Sequence, residues 1–193
     1  MSADTTRPIA TASQTVGPFF HFGLGANPAL GSLVVPGLEA ERVDLLLRVF
    51  DRDGRLVSDA LIEIWQAGPD GAYSPPPDGA EIPVGFRGFG RLCTSAEGEA
   101  LFETVRPGRT VDGAGATHAA HINVCLFARG LLRQLHSRVY FAGDPALTSD
   151  PVLALVPEDR RQTLIASPSA QHQFRWELDI RLRGDRETVF FDL

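Results

Sequence analysis

Apolar and polar positions alternate with a period of two over much of the chain, in short runs separated by glycine and proline. Successive side chains of a β-strand point to opposite faces, so this period predicts strands buried on one side. The clearest run is residues 173–182, which alternate throughout. Further strands are predicted at 43–50, 60–65, 88–94, 100–105, 119–127 and 136–141.

Turn residues separate the predicted strands. The turn at Asp53-Gly54 predicts that the first two strands form a hairpin, and residues 95–98 predict a hairpin of the next two. Residues 150–166 are the one convincing helix. Short, regularly spaced strands with long loops and one short helix predict an all-β fold, an antiparallel β-sandwich.

The N-terminal residues differ from the rest of the chain. Residues 1–14 are polar, whereas residues 15–22 hold three phenylalanines beside a Gly-Pro pair. We therefore divide the chain into an arm, 1–24, that packs on a partner subunit and a single domain, 25–193. Packing of the aromatic residues on the chain's own sandwich is an equally weighted alternative.

Composition limits the classes of function. A net charge of −6 on 193 residues argues against nucleic-acid binding. No apolar run approaches the roughly 18 to 20 residues of a membrane helix, and no signal-peptide core is visible, so we expect a soluble, cytoplasmic protein. Cys93 and Cys125 lie in apolar runs and are expected to be buried free thiols.

Most catalytic patterns are absent from the sequence. No nucleophile elbow, phosphate-binding loop or zinc-type cysteine pair occurs. The remaining candidate ligands are Tyr73, His118, His121, His136 and Tyr140. His121 and Asn123 are two apart in a strand and share a face, where two histidines would form half of a metal site. Asparagine is a poor ligand for a transition metal, so the pair is half filled.

Three segments resemble the intradiol ring-cleavage dioxygenases, non-haem ferric enzymes that split catechols between the two hydroxyl-bearing carbons. They are Glu63–Ala67 followed by Tyr73, Ala120–Asn123, and Arg138–Phe141. Supporting matches occur at 13–18, 160–166 and 187–193, so that the resemblance runs nearly end to end.

The resemblance implies a depleted metal site. The two tyrosines and two histidines that hold Fe(III) in the family's active chains fall on Tyr73, Thr110, His121 and Asn123 of this sequence. One phenol and one imidazole are missing. The resemblance therefore implies vestigial ligand positions, no metal and no catalytic residue in this chain alone.

Within the family, the chain resembles the α subunits that pair with a homologous β subunit and assemble as αβ protomers into a higher oligomer. The resemblance places Fe(III) on the β subunit. It also implies that Thr15, Gly17 and Pro18 line the pocket for a small aromatic diol, and that Arg138 pairs with the substrate's carboxylate. An ordinary salt bridge on the strand surface is the alternative for Arg138.

Two other functions remain open at this point. The chain could be a stand-alone enzyme with a degenerate metal site built on Tyr73 and His121, with His118 or His136 as a further ligand. It could also be a non-catalytic binding module, because β-sandwiches serve many functions.

Overall fold

The computed structural model describes residues 9–34, 36–73 and 86–192. Residues 1–8 of the predicted arm and residues 74–85 of the long coil after Gln66 lie outside this part. The strands are β1 (Arg42–Phe50), β2 (Leu61–Gln66), β3 (Phe89–Cys93), β4 (Glu99–Val105), β5 (Thr110–Val111), β6 (Thr117–His118), β7 (His121–Phe127), β8 (Leu135–Phe141), β9 (Ile165–Pro168) and β10 (Arg175–Arg181). The helices are α1 (Pro18–Leu24) and α2 (Pro151–Ala154), with short 3₁₀ helices at Pro28–Gly31, Pro145–Ser149 and Glu158–Leu164.

Eight strands form one sheet in the order β3-β2-β7-β8-β9-β10-β1-β4, and β5 and β6 form a separate ribbon. β1 pairs with β10, and β8 with β9, in the parallel direction, while the other neighbours are antiparallel. The predicted all-β class is confirmed. The finer prediction of an antiparallel sandwich is not confirmed, because two of the strand pairings in this mixed sheet are parallel.

The sheet folds over itself around one core. Leu45 and Leu47 from β1 belong to the same buried cluster as Ile62 from β2 and Ile122 from β7. Burial of each such side chain contributes about 1.5–3 kcal/mol, so this cluster holds the two halves of the sheet together. The result is a mixed, nearly barrel-like sheet whose outer faces carry the polar residues.

For both predicted hairpins the turn is present, but the two strands that it connects do not pair with each other. The turn after β1 forms, with Asp51 N bonded to Arg55 O at 2.9 Å, and Gly54 adopts a φ of 75°. However, β1 pairs with β4 and β10, whereas β2 pairs with β3 and β7. β3 and β4 likewise end up at opposite ends of the sheet order. Each of these turns leads the chain from one half of the sheet to the other.

The predicted helix at 150–166 is wrong in its extent. α2 ends at Ala154, and the 3₁₀ helix begins at Glu158, after Pro157 in an extended conformation with ψ of 136°. Proline lacks the N–H that a continuing helix needs and disfavours helical geometry at the preceding residue. The helix α1 in the arm was not predicted. Within the described residues, no helix has the length and apolar character that crossing a membrane requires.

Candidate functional site

The outer face of β7 and β8 brings several predicted site residues together. Asn123 lies directly opposite Arg138, and His121 lies opposite Tyr140. On the other side of β7, Trp65 lies opposite Asn123. Side chains at opposed positions share a face, so the register alone gathers these residues on one patch.

Tyr73 reaches this patch from a loop that is braced by a second loop. Gly108 N donates to Gly68 O at 2.9 Å. Gly71 has a φ of 81°, and a Cβ there would collide with the carbonyl oxygen of Arg109. Only glycine fits a left-handed position at such a close approach. The contact therefore sets the course of the chain just before Tyr73.

Of the four ligand positions that the resemblance implies, Tyr73 lies within hydrogen-bond distance of both His121 and Asn123. The hydroxyl of Tyr73 lies 3.4 Å from His121 Nε2, and Asn123 Nδ2 donates to the same hydroxyl at 3.1 Å. His121 Nδ1 donates to Ala119 O at 2.8 Å, which leaves Nε2 as the acceptor. The patch is thus satisfied internally by neutral hydrogen bonds.

Burial keeps His121 neutral. The side chain is almost fully buried, and this desolvation lowers the pKa of His121 to about 4. The carbonyl of Ala119 acts in the opposite direction, and the nearby guanidinium of Arg138 adds to the depression. At neutral pH His121 is therefore an uncharged imidazole.

Thr110 occupies the fourth position and supplies no phenol. It is buried and pairs with His118 in the small β5–β6 ribbon. The family's ferric ion is held by two phenolates and two imidazoles, whereas this patch offers one phenol, one imidazole and an amide beside a guanidinium. Two phenolates offset most of the ferric charge, and one cannot. The residues present therefore do not fit a ferric ion.

A second network beside the patch is centred on Asp150, whose side chain is fully buried. The carboxylate accepts hydrogen bonds from Ala119 N at 2.9 Å, Leu153 N at 2.7 Å and the hydroxyl of Tyr140 at 3.0 Å. Burial alone would raise the pKa of Asp150, but these donors hold it below the usual value for aspartate. Asp150 thereby ties the start of α2 to the segment before β7.

His118 connects this network to Arg138. Its Nδ1 lies 3.5 Å from Arg138 Nη1, and because arginine only donates, Nδ1 is the acceptor. The proton on Nε2 then points to Asp112 Oδ2, 3.3 Å away. Within the described part of the chain, Arg138 forms no salt bridge, so the alternative expected for it is not observed.

The other predicted substrate-binding residues lie elsewhere. Thr15 Oγ1 accepts from Gly130 N at 2.7 Å, at the turn that follows β7. Gly17 and Pro18 border a groove of about 410 Å³. This end of β7 is four residues from Asn123, or about 13 Å at the rise of a strand. A single chain therefore does not bring the arm residues and Arg138 into one pocket.

The remaining candidate ligands have other surroundings. Tyr140 is buried, which raises its pKa, and its hydroxyl is committed to Asp150. His136 lines a small pocket of about 160 Å³ with Trp65 and Asn123. Among the described residues, no group of three or more histidine, cysteine, aspartate or glutamate side chains is placed to hold a metal ion.

Sequence reasoning missed Asp150 and Asp112 as members of the site. The signal for Asp150 was an aspartate directly before a proline, the pattern of a helix N-cap, and its carboxylate does accept from Val152 N at 3.0 Å. For Asp112 the sequence indicated only a turn, because an aspartate there precedes Gly113. Nothing local in the sequence indicated that either carboxylate would approach His118.

Comparisons with known proteins identify the family to which the chain belongs. A family model described as dioxygenase matches residues 36–184. The chain is 42% identical to the protocatechuate 3,4-dioxygenase alpha chain of Burkholderia cepacia, over 95% of this chain and 97% of that protein. It is 39% identical to the alpha chain of Pseudomonas putida, over 94% of this chain and 96% of that protein.

Two further proteins match this chain over a smaller part of its length or with lower sequence identity. The protocatechuate 3,4-dioxygenase beta chain of Burkholderia cepacia is 37% identical over 75% of this chain and 65% of its own length. The dioxygenase domain of a dioxygenase and carbohydrate-binding fusion protein from Streptomyces sp. SirexAA-E aligns with a TM-score of 0.60 and 26% identity, over 82% of this chain and 88% of that chain. By sequence and by fold, the chain belongs to the intradiol dioxygenase family.

Proposed function

We propose that this chain is the α subunit of a protocatechuate 3,4-dioxygenase, which converts protocatechuate and O₂ to 3-carboxy-cis,cis-muconate in the cytoplasm. The observation that carries the proposal is the end-to-end match to alpha chains combined with a patch that lacks two of the four ligands. The beta-chain match covers a smaller part of both proteins. A chain of this kind supports a reaction whose metal is held elsewhere.

The division of labour follows from the chemistry of the patch. Tyr73, His121 and Asn123 satisfy one another with hydrogen bonds. We assign Fe(III), and with it the ring-cleaving chemistry, to a homologous β subunit. The α chain contributes pocket walls, a cation and scaffold, and each of the two chains carries the folded-over sheet as a two-layer β-sandwich.

Arg138 is the proposed contact for the substrate carboxylate. It is half-buried on the strand, forms no salt bridge within the described ranges and is held by the ring of His118. A guanidinium in this state keeps donors free for an incoming carboxylate, with which it can form a bidentate pair. The partly desolvated position strengthens the pair relative to one in open water.

The arm supplies the second proposed contact. Thr15, Gly17 and Pro18 lie at the surface, at the far end of β7 from Arg138. Because one chain does not unite the two sets, we assign the arm to an interface at which it reaches the pocket of the β subunit. The arm and the domain that begins at residue 25 thus have separate roles.

Iron content tests this function. The chain is expressed alone and together with its β partner, and mass, iron and visible absorbance are measured. We expect the lone chain to hold no stoichiometric iron and to lack the tyrosinate-to-iron charge-transfer band. The co-purified complex should show the band, one iron per αβ pair and ring cleavage. A lone chain that is coloured and active would establish the stand-alone enzyme instead.

A further inference from the structure

A polar cleft of about 870 Å³ lies on the outer face of β10 and β1. It is bounded by the 3₁₀ helix Glu158–Leu164 and by the turn at 168–172. β10 and β1 are in the other half of the sheet from β7 and β8. The cleft therefore belongs neither to the Arg138 patch nor to the arm.

The acidic residues on the floor of the cleft are neutralised within the chain. Arg48 pairs with Asp179 at 2.7 Å and with Glu177 at 3.5 Å. Arg181 pairs with Asp179 at 3.3 Å. Other residues of the cleft, both basic and acidic, have no such ion-pair partner among the described residues. These residues determine what the cleft can bind.

Three charged residues of the cleft have no ion pair among the described residues: Arg175, Arg186 and Asp159. Arg175 is the most informative, because its Nε is buried and has no hydrogen-bond acceptor within the described ranges. Buried donors are almost always paired in native proteins, so Arg175 stands out as an arginine that the described part of the chain leaves without an internal acceptor for this donor. Arg186 and Asp159 are exposed.

The residue before Arg175 has the features of a binding surface. Phe174 has a φ of 69° and is the only non-glycine residue in the described part with positive φ. Its carbonyl accepts from Asp44 N at 2.9 Å, and the residue is 54% exposed. A strained backbone that presents an aromatic ring to solvent beside an unpaired arginine is typical of an interaction site, since aromatic residues and arginine are enriched at interfaces.

We propose that two copies of this chain meet through this cleft about a twofold axis, with Asp159 of each copy opposite the unpaired arginines of the other. In a twofold contact the same surface of each copy faces the other, so this surface must carry both the acid and the base of every ion pair across the interface. The cleft does so, because it holds the unpaired Asp159 together with Arg175 and Arg186. The open, polar shape fits a protein surface better than a small molecule, whose sites are mostly apolar. The contact uses neither Arg138 nor the arm, so it goes beyond the proposed function and joins one αβ unit to the next.

Charge reversal at exposed positions tests the contact on the purified chain. Asp159→Arg and Arg186→Asp are each expected to weaken self-association by about tenfold or more in sedimentation velocity, because each places like charges together. The double variant restores opposite charges and should return to within about threefold of the wild-type dissociation constant. The matched controls Glu97→Arg and Arg52→Asp lie on exposed positions outside the cleft and should change nothing.

Phe174→Gly provides a variant that does not endanger the fold. Glycine accepts positive φ without strain, so the unfolding temperature should be unchanged or higher while self-association weakens. A wild-type chain that stays monomeric up to about 1 mM overturns the proposal. So does a double reversal that fails to rescue, or a Phe174→Gly chain that associates as the wild type does. None of these measurements involves iron, so the result is independent of the proposed enzymatic role.

Discussion

Asp150 is the residue on which the local structure of the patch depends most. Besides Ala119 N and Leu153 N, its carboxylate accepts from Val152 N and the Tyr140 hydroxyl, and the side chain has no contact with solvent. A buried carboxylate is tolerated only when donors replace its lost water. This one therefore acts as the junction between α2 and the strand that carries His121.

Asp150→Asn is expected to destabilise the chain by about 2–4 kcal/mol in urea unfolding, because the amide nitrogen cannot accept from the donors that face it. The exposed Asp185→Asn should stay within about 0.5 kcal/mol of wild type. The pKa of Asp150 is lowered in the folded chain, so its contribution is full above the ordinary aspartate pKa of about 4. The difference between wild type and Asp150→Asn should shrink as pH falls through the lower folded pKa. A difference that does not change in acid would contradict the assignment.

Arg138→Ala is expected to raise KM for protocatechuate by about tenfold to a hundredfold in the αβ complex, the value of a hydrogen bond between charged groups. Catechol, which has no carboxylate, should lose far less. Arg133→Ala, on the exposed turn between β7 and β8, is the matched control and should leave both substrates unaffected. Arg138→Lys should recover part of the loss, because it restores the charge and not the fork geometry. Equal losses for the two substrates would refute the carboxylate role.

At the scale of elements, the aromatic side chains of α1 have two different environments: one packs on the sheet and two are exposed to solvent. Phe20 packs on Phe127 with ring centroids 5.2 Å apart. Phe19 and Phe22 are 86% and 70% exposed, and α1 has no buried residue. Packing on the chain's own sheet is therefore observed for Phe20, and packing on a partner stays a prediction for Phe19 and Phe22. Phe20 docks the helix on its own sheet, and the other two rings remain available to a partner.

The double variant Phe19→Ser, Phe22→Ser should leave the stability of the lone chain within about 0.5 kcal/mol of wild type, because neither ring packs on the chain's own core. Its affinity for the β subunit should fall by about tenfold or more, as expected when aromatic interface anchors are removed. Leu155→Ser is the matched control, since Leu155 is 82% exposed at the end of α2. Unchanged affinity, or an equal loss in Leu155→Ser, would argue against the arm as an interface.

At the scale of the whole molecule, the core is built without buried residues from the described part of the arm. The buried cluster begins in the chain at Leu33, and none of residues 9–24 is buried. The described residues of the arm therefore contribute no buried side chain to the core that joins the two halves of the sheet. The division of the chain into an arm, 1–24, and a single domain, 25–193, stays a prediction, which a truncation can test.

A chain that starts at residue 25 should unfold in one cooperative transition, within about 1–2 kcal/mol of the full chain, since only partly exposed contacts are lost. The same truncation should fail to co-purify with the β subunit. Circular dichroism with urea and pull-down on the tagged partner measure the two results. A truncated chain that does not fold would place the arm inside the domain, and one that still assembles would remove its role at the interface.

Local patterns in the sequence determined the class of fold and the strand positions, whereas the ligand positions were implied only by the family resemblance. Alternation is a property of neighbouring residues, so β1, β7 and β10 lie within two residues of their predicted bounds. The residue types at Thr110 and Asn123 are equally local, because a threonine or an asparagine offers no phenol or imidazole in any fold. The interruption at Pro157 was also available from the sequence, since proline acts on its own neighbourhood.

Only the tertiary structure decided which strands pair and which side chains meet. Both predicted turns form, but the strands on either side of each turn do not pair with each other. Packing across the core determines the strand partners, rather than closeness along the chain. Asp150, His118 and Arg138 come together through the register of β8 on β7 and the cap of α2, over sequence separations that no local pattern spans. The same register separates Arg138 from Thr15 within one chain. For that reason we assign the proposed substrate pocket to an interface with a second subunit.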